Sequence, residues 1–310
     1  MGDSAAKAKS RAAGPAPVVP RAIGTVRVAA KRSGDRTVLD RLYQKGSAKA
    51  LLPRTFETGL TAVLLNTSGG VTGGDRFAYT ADAQAGSHLT LTTQAAERAY
   101  RALPGHTGQI ETRLTAHQGA RLDWLPQETI LFNGASLNRR FDVDLAADAT
   151  LLAVESFILG RTAMGETVHD LRLSDQWRVR RDGTLVYADA LRLHGDADAI
   201  ARQAGTLGGH RAFATILFTS PDADRHLAPL RSQIGDSGGA SLIRDGVLAA
   251  RLTAPDGFHL RKALIPALER LRGAPLPSPW SICCNSPPAK RTSCWSRSPP
   301  WSRATVWSAA

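Results

Sequence analysis

Cysteine is missing from this 310-residue chain until close to its C-terminus. All three cysteines (Cys283, Cys284 and Cys294) follow Ile282, so the preceding body has none. A body without cysteine excludes a disulfide framework and any thiolate metal site within it. The three terminal cysteines are also fewer than the four ligands of a structural zinc site.

Long hydrophobic runs are absent as well. The longest uninterrupted apolar stretches span only a few residues, whereas a membrane-spanning helix needs roughly 20. Residues 1–21 lack the apolar region of a secretory signal. We therefore expect a soluble, cytoplasmic protein in which residues 1–22 form a disordered basic arm.

The formal net charge of +12 is concentrated at the two ends of the chain. Residues 1–36 carry eight Lys or Arg against two Asp, and residues 281–310 carry four against no acid. Residues 37–280 hold 27 basic and 25 acidic side chains, which nearly balance. The folded body is therefore not predicted to bind nucleic acid, although a nucleic-acid binder acting through the basic tails stays an alternative.

Familiar catalytic signatures are missing too. The sequence has no Gly-x-Ser-x-Gly elbow and no His-Glu-x-x-His motif. The densest group of potential ligands, Glu166-Thr167-Val168-His169-Asp170, offers carboxylates and an imidazole that suit nickel or zinc. A metal-dependent hydrolase using Glu166 and His169 is therefore a second alternative. A Glu-x-x-His pair converges only on a helix, however, and Gly165 favours a turn.

What the sequence does contain is a series of short alternating polar and apolar segments, which predict β-strands. These segments are Thr25–Ala29, Thr37–Tyr43, Ser87–Thr92, Gln109–Thr115 and Arg139–Leu145. Glycines separate many of them, a rhythm typical of an all-β sheet stack, barrel or solenoid, although no strict period appears. Helical signals are few and late: one follows Pro221, and another runs from Asp256 to Gly273. We predict one β-rich domain over 23–280 with a small α/β appendage at about 205–275.

The segment Asn66–Asp75 is rich in glycine and follows an apolar run. Glycine pairs occur where the backbone takes a positive φ or where another chain approaches closely. A Walker A phosphate loop is excluded, because Asp75 and Arg76 stand where Lys and Ser or Thr are needed. A buried turn between strands is the simplest interpretation of this segment.

Read together with Thr92–Ala96, Leu125–Phe132 and Leu159–Glu166, the segment Asn66–Asp75 resembles the urease accessory protein UreD family, also called UreH. The four segments occur in family order, and the resemblance covers roughly 24–280. It implies a mostly β fold, a helical, β-solenoid-like stack of strands with a few C-terminal helices. It also implies a scaffold without enzymatic activity, which binds apo-urease with UreF and the GTPase UreG and helps to load nickel. A homodimer within that accessory complex is a further expectation.

Several carboxylates stand among apolar neighbours, notably Glu128, Glu155 and Asp189. A buried carboxylate has to be paired, protonated or coordinating, because an unpaired buried charge is too costly. The arginines close in sequence are alternative ion-pair partners: Arg161, Arg178 and Arg192. The internal tunnel of the family implies instead that five acids line or shape a transient nickel route, with no tightly bound cofactor. These acids are Asp75, Glu128, Glu155, Glu166 and Asp189.

The composition changes after Trp280. Residues 281–310 contain every cysteine, no acid, no leucine and repeated Ser-Pro-Pro and Trp-Ser pairs. Such a composition cannot build an amphipathic element. We expect this segment to be unstructured and to be a non-native or out-of-frame extension.

Overall fold

The computed structural model describes residues 20–161 and 164–281. Most of the predicted basic arm at 1–22, and all but the first residue of the predicted tail at 281–310, lie outside the described residues. No helix among the described residues is long and apolar enough to span a membrane.

The described residues form two large sheets from seventeen strands. The strands are β1 Ile23–Ser33, β2 Arg36–Gly46, β3 Ala48–Leu51, β4 Leu60–Asn66, β5 Arg76–Ala83, β6 His88–Thr93, β7 Glu97–Ala99, β8 Gly108–Ala116, β9 Arg121–Leu125, β10 Thr129–Leu131, β11 Ala135–Leu145, β12 Thr150–Leu159, β13 Leu171–Arg181, β14 Thr184–Gly195, β15 Ala212–Thr219, β16 Gly238–Arg244 and β17 Val247–Ala254. The first sheet has the order β14-β13-β11-β8-β5-β1-β2, and the second has the order β16-β17-β15-β12-β9-β6-β4-β3.

The chain alternates between the two sheets and stacks each new strand in parallel on the preceding one. In the first sheet β5, β8, β11 and β13 are parallel neighbours, and in the second β4, β6, β9 and β12 are. The turns between the sheets stack as well, because His117 N donates to Ala83 O and Ala146 N donates to Ala116 O. This arrangement of stacked coils confirms the predicted β-solenoid-like fold.

The facing surfaces of the two sheets enclose the main core. Strand β11 shows the pattern, because every second residue from Ala135 to Leu145 is buried and those between are less buried. Such alternation is expected of a strand with one face on the core and the other towards solvent. Burial of apolar side chains from both sheets is the main force that holds the stack together.

The C-terminal region adds strands and helices to the second sheet. Strand β15 pairs with β12, and β17 and β16 follow it outward. Three α-helices are described, α1 Ala197–Arg202, α2 Leu227–Ile234 and α3 Gly257–Arg272. As the sequence predicts, Asp256 caps α3 by accepting from His259 N at 2.9 Å, and Gly273 ends it with a φ of +72°.

Helices α2 and α3 cover the outer face of the second sheet. Their apolar residues form a second core with β12, β15 and β17. Strand β12 is therefore buried on both faces from Leu151 to Leu159. This explains why its sequence has more consecutive apolar residues than the strands of the first sheet.

Candidate functional site

The four sequence segments that carry the resemblance meet on one narrow face of the solenoid, here called the motif face. Strand β10 pairs in parallel with β7 on one side and with the end of β12 on the other. Val71 forms a parallel bridge with Ala99, which joins the glycine-rich segment to β7. Stacking of successive coils therefore brings together segments that are far apart in the sequence.

Asp75 holds the glycine-rich turn in place. One carboxylate oxygen accepts from Ala22 N at 2.8 Å, and the other accepts from Thr72 N at 2.8 Å. The residue is 5% exposed. Gly70 cannot carry a side chain, because a Cβ there would lie 2.2 Å from the Tyr100 ring. The structure thus places Asp75 at a tight turn with both of its oxygens bonded.

Glu166 and His169 lie in a loop after β12 and turn to different partners. The Glu166 carboxylate accepts from Arg161 Nε at 2.8 Å and from the backbone N–H groups of Arg161 and Asn133. Burial alone would raise the pKa of Glu166, but these hydrogen bonds outweigh it and lower the pKa. His169 Nδ1 instead lies 3.1 Å from Asp196 Oδ2. The two side chains therefore do not converge on a common site.

Glu128 anchors helix α3 to the solenoid. Its Oε2 accepts from Nε and Nη2 of Arg261 at 3.1 and 3.0 Å. The Arg261 guanidinium also contacts Gln127 and stacks over the Trp280 ring, 5.3 Å from its centre. Trp280 is buried and donates to Leu125 O at 3.0 Å.

A second arginine of helix α3 makes a similar contact at the other end of the helix. Arg272 donates from Nη2 to Glu57 at 2.6 Å, and its Nε lies 3.4 Å from Asp123 Oδ2. Asp123 is fully buried and also contacts His88 at 2.8 Å and Arg121 at 3.0 Å. Burial raises the pKa of Asp123, but the His88 hydrogen bond and the arginine charges outweigh it and lower the pKa to about 2. We call the contacts of Arg261 and Arg272 the helix clamps.

Glu155 belongs to a separate group deep between the sheets. Its carboxylate is 2% exposed, pairs with Arg139 and accepts from Trp124 Nε1 at 2.9 Å. Arg139 Nε lies 3.7 Å from Asp175 Oδ1, and Asp175 Oδ2 accepts from Trp177 Nε1 at 2.9 Å. Glu97 is close enough for its charge to act on the pKa of Arg139. We call these four ionisable residues, Glu97, Arg139, Glu155 and Asp175, the interior cluster.

The strand registers explain how charged side chains reach this interior. Arg139 on β11 takes an inward position between Leu137 and Phe141, and its direct neighbour on β13 is Asp175. Glu155 lies on β12 between the point where β9 leaves it and the point where β10 joins it. Glu155 therefore lies beside the gap between strands β9 and β10 of the second sheet.

Acid outnumbers base in the interior cluster. Three carboxylates surround one guanidinium, which leaves a formal excess of negative charge. Burial and the charge of Glu155 raise the pKa of Asp175 to about 6, against the lowering effect of Arg139. Burial likewise raises the pKa of Glu97. Within this cluster carboxylates therefore outnumber guanidinium groups, while Arg98, outside the cluster, also acts to lower the pKa of Glu97.

One side of the interior cluster faces a small pocket on the motif face. Asn66 Nδ2 donates to Glu97 Oε2 at 3.1 Å. Glu97 and Tyr79 line a pocket of about 210 Å³ together with residues 64–66 and 93–98. Burial and the charge of Glu97 raise the pKa of Tyr79, which keeps its phenol protonated.

The other side faces a larger groove between β14, β16 and β17. Asp189 is the neighbour of Trp177 across the β13–β14 ladder, and its charge acts on the pKa of Asp175. Both of its oxygens lie 2.7 Å from Arg251 Nη2. Asp189, Arg251 and Tyr187 line this groove, whose volume is about 590 Å³. A series of polar side chains therefore runs from Glu97 at the pocket, through the interior cluster, to Asp189 at the groove.

The structure brings together only part of the predicted set of acids. Glu155 lies in the interior cluster and Asp189 at its outer end, whereas Asp75, Glu128 and Glu166 are bound by backbone amides or arginines at the periphery. Among the described residues, no three His, Cys, Asp or Glu side chains are grouped to hold a metal ion. Glu128, Glu155 and Asp189 pair with Arg261, Arg139 and Arg251 rather than with the arginines considered from the sequence. Of those, Arg161 pairs with Glu166 instead.

Three residues of the interior cluster were missed from the sequence: Glu97, Arg139 and Asp175. The signal for two of them lay in the alternation itself. Arg139 and Asp175 occupy positions that the phase of their strands assigns to the core. A charged residue in phase with buried apolar neighbours needs a partner, and this pattern could have pointed to both.

Comparison with known proteins points to a single family. The family model described as "UreD urease accessory protein" matches residues 22–281. A protein of Rhizobium leguminosarum bv. viciae named "Urease accessory protein UreD" is 48% identical over 263 residues, which cover 84% of this chain and 96% of that protein. A protein of the same name from Chelativorans sp. (strain BNC1) is 50% identical over 272 residues, which cover 87% and 97%. Both relatives are named as accessory proteins rather than enzymes, in agreement with the sequence prediction.

Proposed function

This chain belongs to the UreD family of urease accessory proteins, and from that premise we propose that it is a scaffold for nickel delivery. It binds apo-urease and, together with UreF and the GTPase UreG, helps nickel to reach the urease active site. The observation that carries this proposal is the interior cluster, in which buried carboxylates outnumber the single arginine. A divalent cation supplies the positive charge that this interior lacks.

The nickel route that we propose runs through the interior cluster, between the pocket at Glu97 and the groove at Asp189. Its ligands are Glu97, Glu155, Asp175 and Asp189, so two of the acids predicted from sequence are kept and two are added. Carboxylate oxygens bind nickel less tightly than thiolates or imidazoles do. A succession of such ligands suits transit, because a closed site of soft ligands retains the ion.

The other three predicted acids shape the walls of this route. Asp75 fixes the turn of the motif face, Glu166 fixes the loop after β12, and Glu128 fixes helix α3. All three lie outside the interior cluster and away from the line between Glu97 and Asp189, and each is bonded there to backbone amides or to an arginine. We therefore propose no direct nickel contact for them.

The hydrolase alternative is set aside, because the relatives are accessory proteins and because Glu166 and His169 contact different partners. A nucleic-acid binder acting through the tails stays a prediction, since those tails lie outside the described residues. Cytoplasmic location and a homodimer within the accessory complex stay predictions too.

The test is the nickel content of urease. Urease subunits are expressed with UreF and UreG at limiting nickel, with and without this chain, and the metal is measured in the purified enzyme. We expect folded, nearly nickel-free urease without the chain and restored nickel with it, because the scaffold brings together partners that meet too weakly alone. Equal nickel content in both preparations contradicts the proposed function.

A matched pair of variants tests the route separately from the bridging. Glu155→Gln removes one interior carboxylate, whereas Glu111→Gln changes a partly exposed carboxylate on β8 that pairs with Arg113 at 2.7 Å. We expect both variants to assemble with the partners and only Glu155→Gln to lower nickel loading. Equal loading by the two variants places the route elsewhere.

A further inference from the structure

We propose that Arg139 is a displaceable counter-ion that occupies the centre of the nickel route and prevents nickel from being retained there. This inference rests on the proposed function and assigns a role to a residue that is not itself a metal ligand. The ligand whose binding Arg139 controls is a divalent transition-metal cation held by carboxylates.

The position of Arg139 supports this role. Arg139 pairs with Glu155 and lies 3.7 Å from Asp175, so one guanidinium occupies the space between two carboxylates. Both acids and the arginine are less than a tenth exposed. A cation that enters between these carboxylates has to displace Arg139, because both charges cannot share the site.

The contact between Arg139 and Asp175 is incomplete. Arg139 Nε and Asp175 Oδ1 face each other, but neither atom makes a hydrogen bond. Buried polar atoms are normally satisfied, and leaving them unpaired costs free energy. The ion pair between Arg139 and Asp175 is therefore weaker than one at hydrogen-bond distance. Oδ1 of Asp175 is available to another cation.

Arg139 also has contacts that do not involve the carboxylates. Its Nη1 donates to Thr129 Oγ1 at 3.3 Å, and its guanidinium lies over the Phe157 ring, 5.1 Å from the centre. Arginine stays charged under all physiological conditions and stacks well on aromatic rings. These contacts hold the guanidinium in addition to its ion pairs, so its position does not depend on Glu155 and Asp175 alone.

The consequence is a gain of nickel affinity when the arginine is removed. Arg139→Leu takes away the resident cation and supplies no ligand atom, so Glu155 and Asp175 are left to bind an added cation. Arg139→Lys is the matched control, because it keeps a positive charge in the same place. We expect Arg139→Leu to bind nickel at least about tenfold more tightly than the wild type, and Arg139→Lys to resemble the wild type.

The experiment uses the purified full chain and nickel chloride, with bound metal measured by equilibrium dialysis. Adding Glu155→Gln to Arg139→Leu removes one of the two carboxylates and should abolish the gain. If Arg139→Leu is too unstable for dialysis, its thermal midpoint is measured with and without nickel, because a ligand of the folded state raises it. No gain in binding and no nickel-dependent rise in the midpoint overturn the role of Arg139.

Urease loading separates this role from the proposed function. We expect Arg139→Leu to retain nickel and to lower the nickel content of urease, whereas Arg139→Lys loads it. If the variant retains nickel but urease loading never depends on this chain, the cation site stands and the delivery function fails. If loading depends on the chain but Arg139→Leu gains no affinity, delivery stands and the counter-ion role fails.

Discussion

Two groups of ion pairs in this molecule, the helix clamp of Arg272 and the interior cluster, differ in their balance of charge. At the helix clamp of Arg272, two arginines face two carboxylates, Asp123 and Glu57, with Arg121 as the second cation. In the interior cluster, a single arginine faces three carboxylates. The clamp is neutral, whereas the interior keeps an excess of negative charge.

This difference fits a structural role for the clamp and the proposed nickel-binding role for the interior cluster. A balanced cluster fixes one element on another, because removal of any member leaves an uncompensated charge. An unbalanced cluster of the same residue types is costly for the folded protein. Such a cost is expected where another cation is to be accommodated.

Breaking the helix clamp has the largest expected effect on stability. Arg272→Met leaves Asp123 buried without its α3 partner and should lower the free energy of unfolding by about 3–5 kcal/mol. Arg270→Met is the matched control, because Arg270 lies in the same turn of α3 and is exposed. The measurement is chemical denaturation of both variants. Equal midpoints contradict the structural role of the clamp.

The two regions should also respond oppositely to pH. The pKa of Asp123 is about 2 in the folded protein against an ordinary 3.8. Its stabilisation is therefore complete above about pH 4 and is lost as the pH falls through 2, a change of about 2 kcal/mol. For Asp175, whose folded pKa is raised to about 6, stability falls as the pH rises from about 4 through 6.

Denaturation across this pH range measures both slopes. Asp123→Asn should flatten the acid side, and Asp175→Asn should flatten the decline between about pH 4 and 6. Each variant serves as the control for the other. Unchanged curves in both variants show that these carboxylates do not control the pH dependence.

The fold could be predicted largely from local pattern. Alternation located the strands Gln109–Thr115 and Arg139–Leu145 within β8 and β11, and Asp256 with Gly273 gave the ends of α3. The parallel stacking could not be derived from the residues in the same way, because it depends on pairing between segments about 30 residues apart. The family resemblance supplied that part of the prediction.

The site was harder to predict, because ion-pair partners follow spatial rather than sequence distance. Glu128 pairs with Arg261 and Asp189 pairs with Arg251, and α3 and β17 supply these arginines from far along the chain. Arginines close in sequence were considered instead, and of these Arg161 pairs with a predicted acid. Glu155 was recognised because its apolar neighbours demanded a partner for its charge.

A smaller effect is expected at the motif face. Asp75→Asn replaces one of two accepting oxygens by an amide donor, which cannot accept from Ala22 or Thr72. The unfolding free energy should fall by about 1–2 kcal/mol, while urease nickel content per folded protein stays unchanged. Denaturation and metal analysis of the same preparation measure both. Normal stability with reduced nickel places Asp75 on the nickel route after all.

The smallest effect is expected at His169. Its side chain is 61% exposed and contacts Asp196, which is itself partly exposed. An exposed ion pair of this kind contributes little, so His169→Ala should change the unfolding free energy by less than about 0.5 kcal/mol. Nickel loading should also stay unchanged, because the proposed route runs through the buried carboxylates and not along this loop. Arg172→Ala, an exposed residue on the neighbouring strand β13, is the control. If His169→Ala lowers nickel loading at normal stability and the control does not, the nickel route extends to this surface loop. The contrast between a balanced periphery and an interior that carries nickel would then fail.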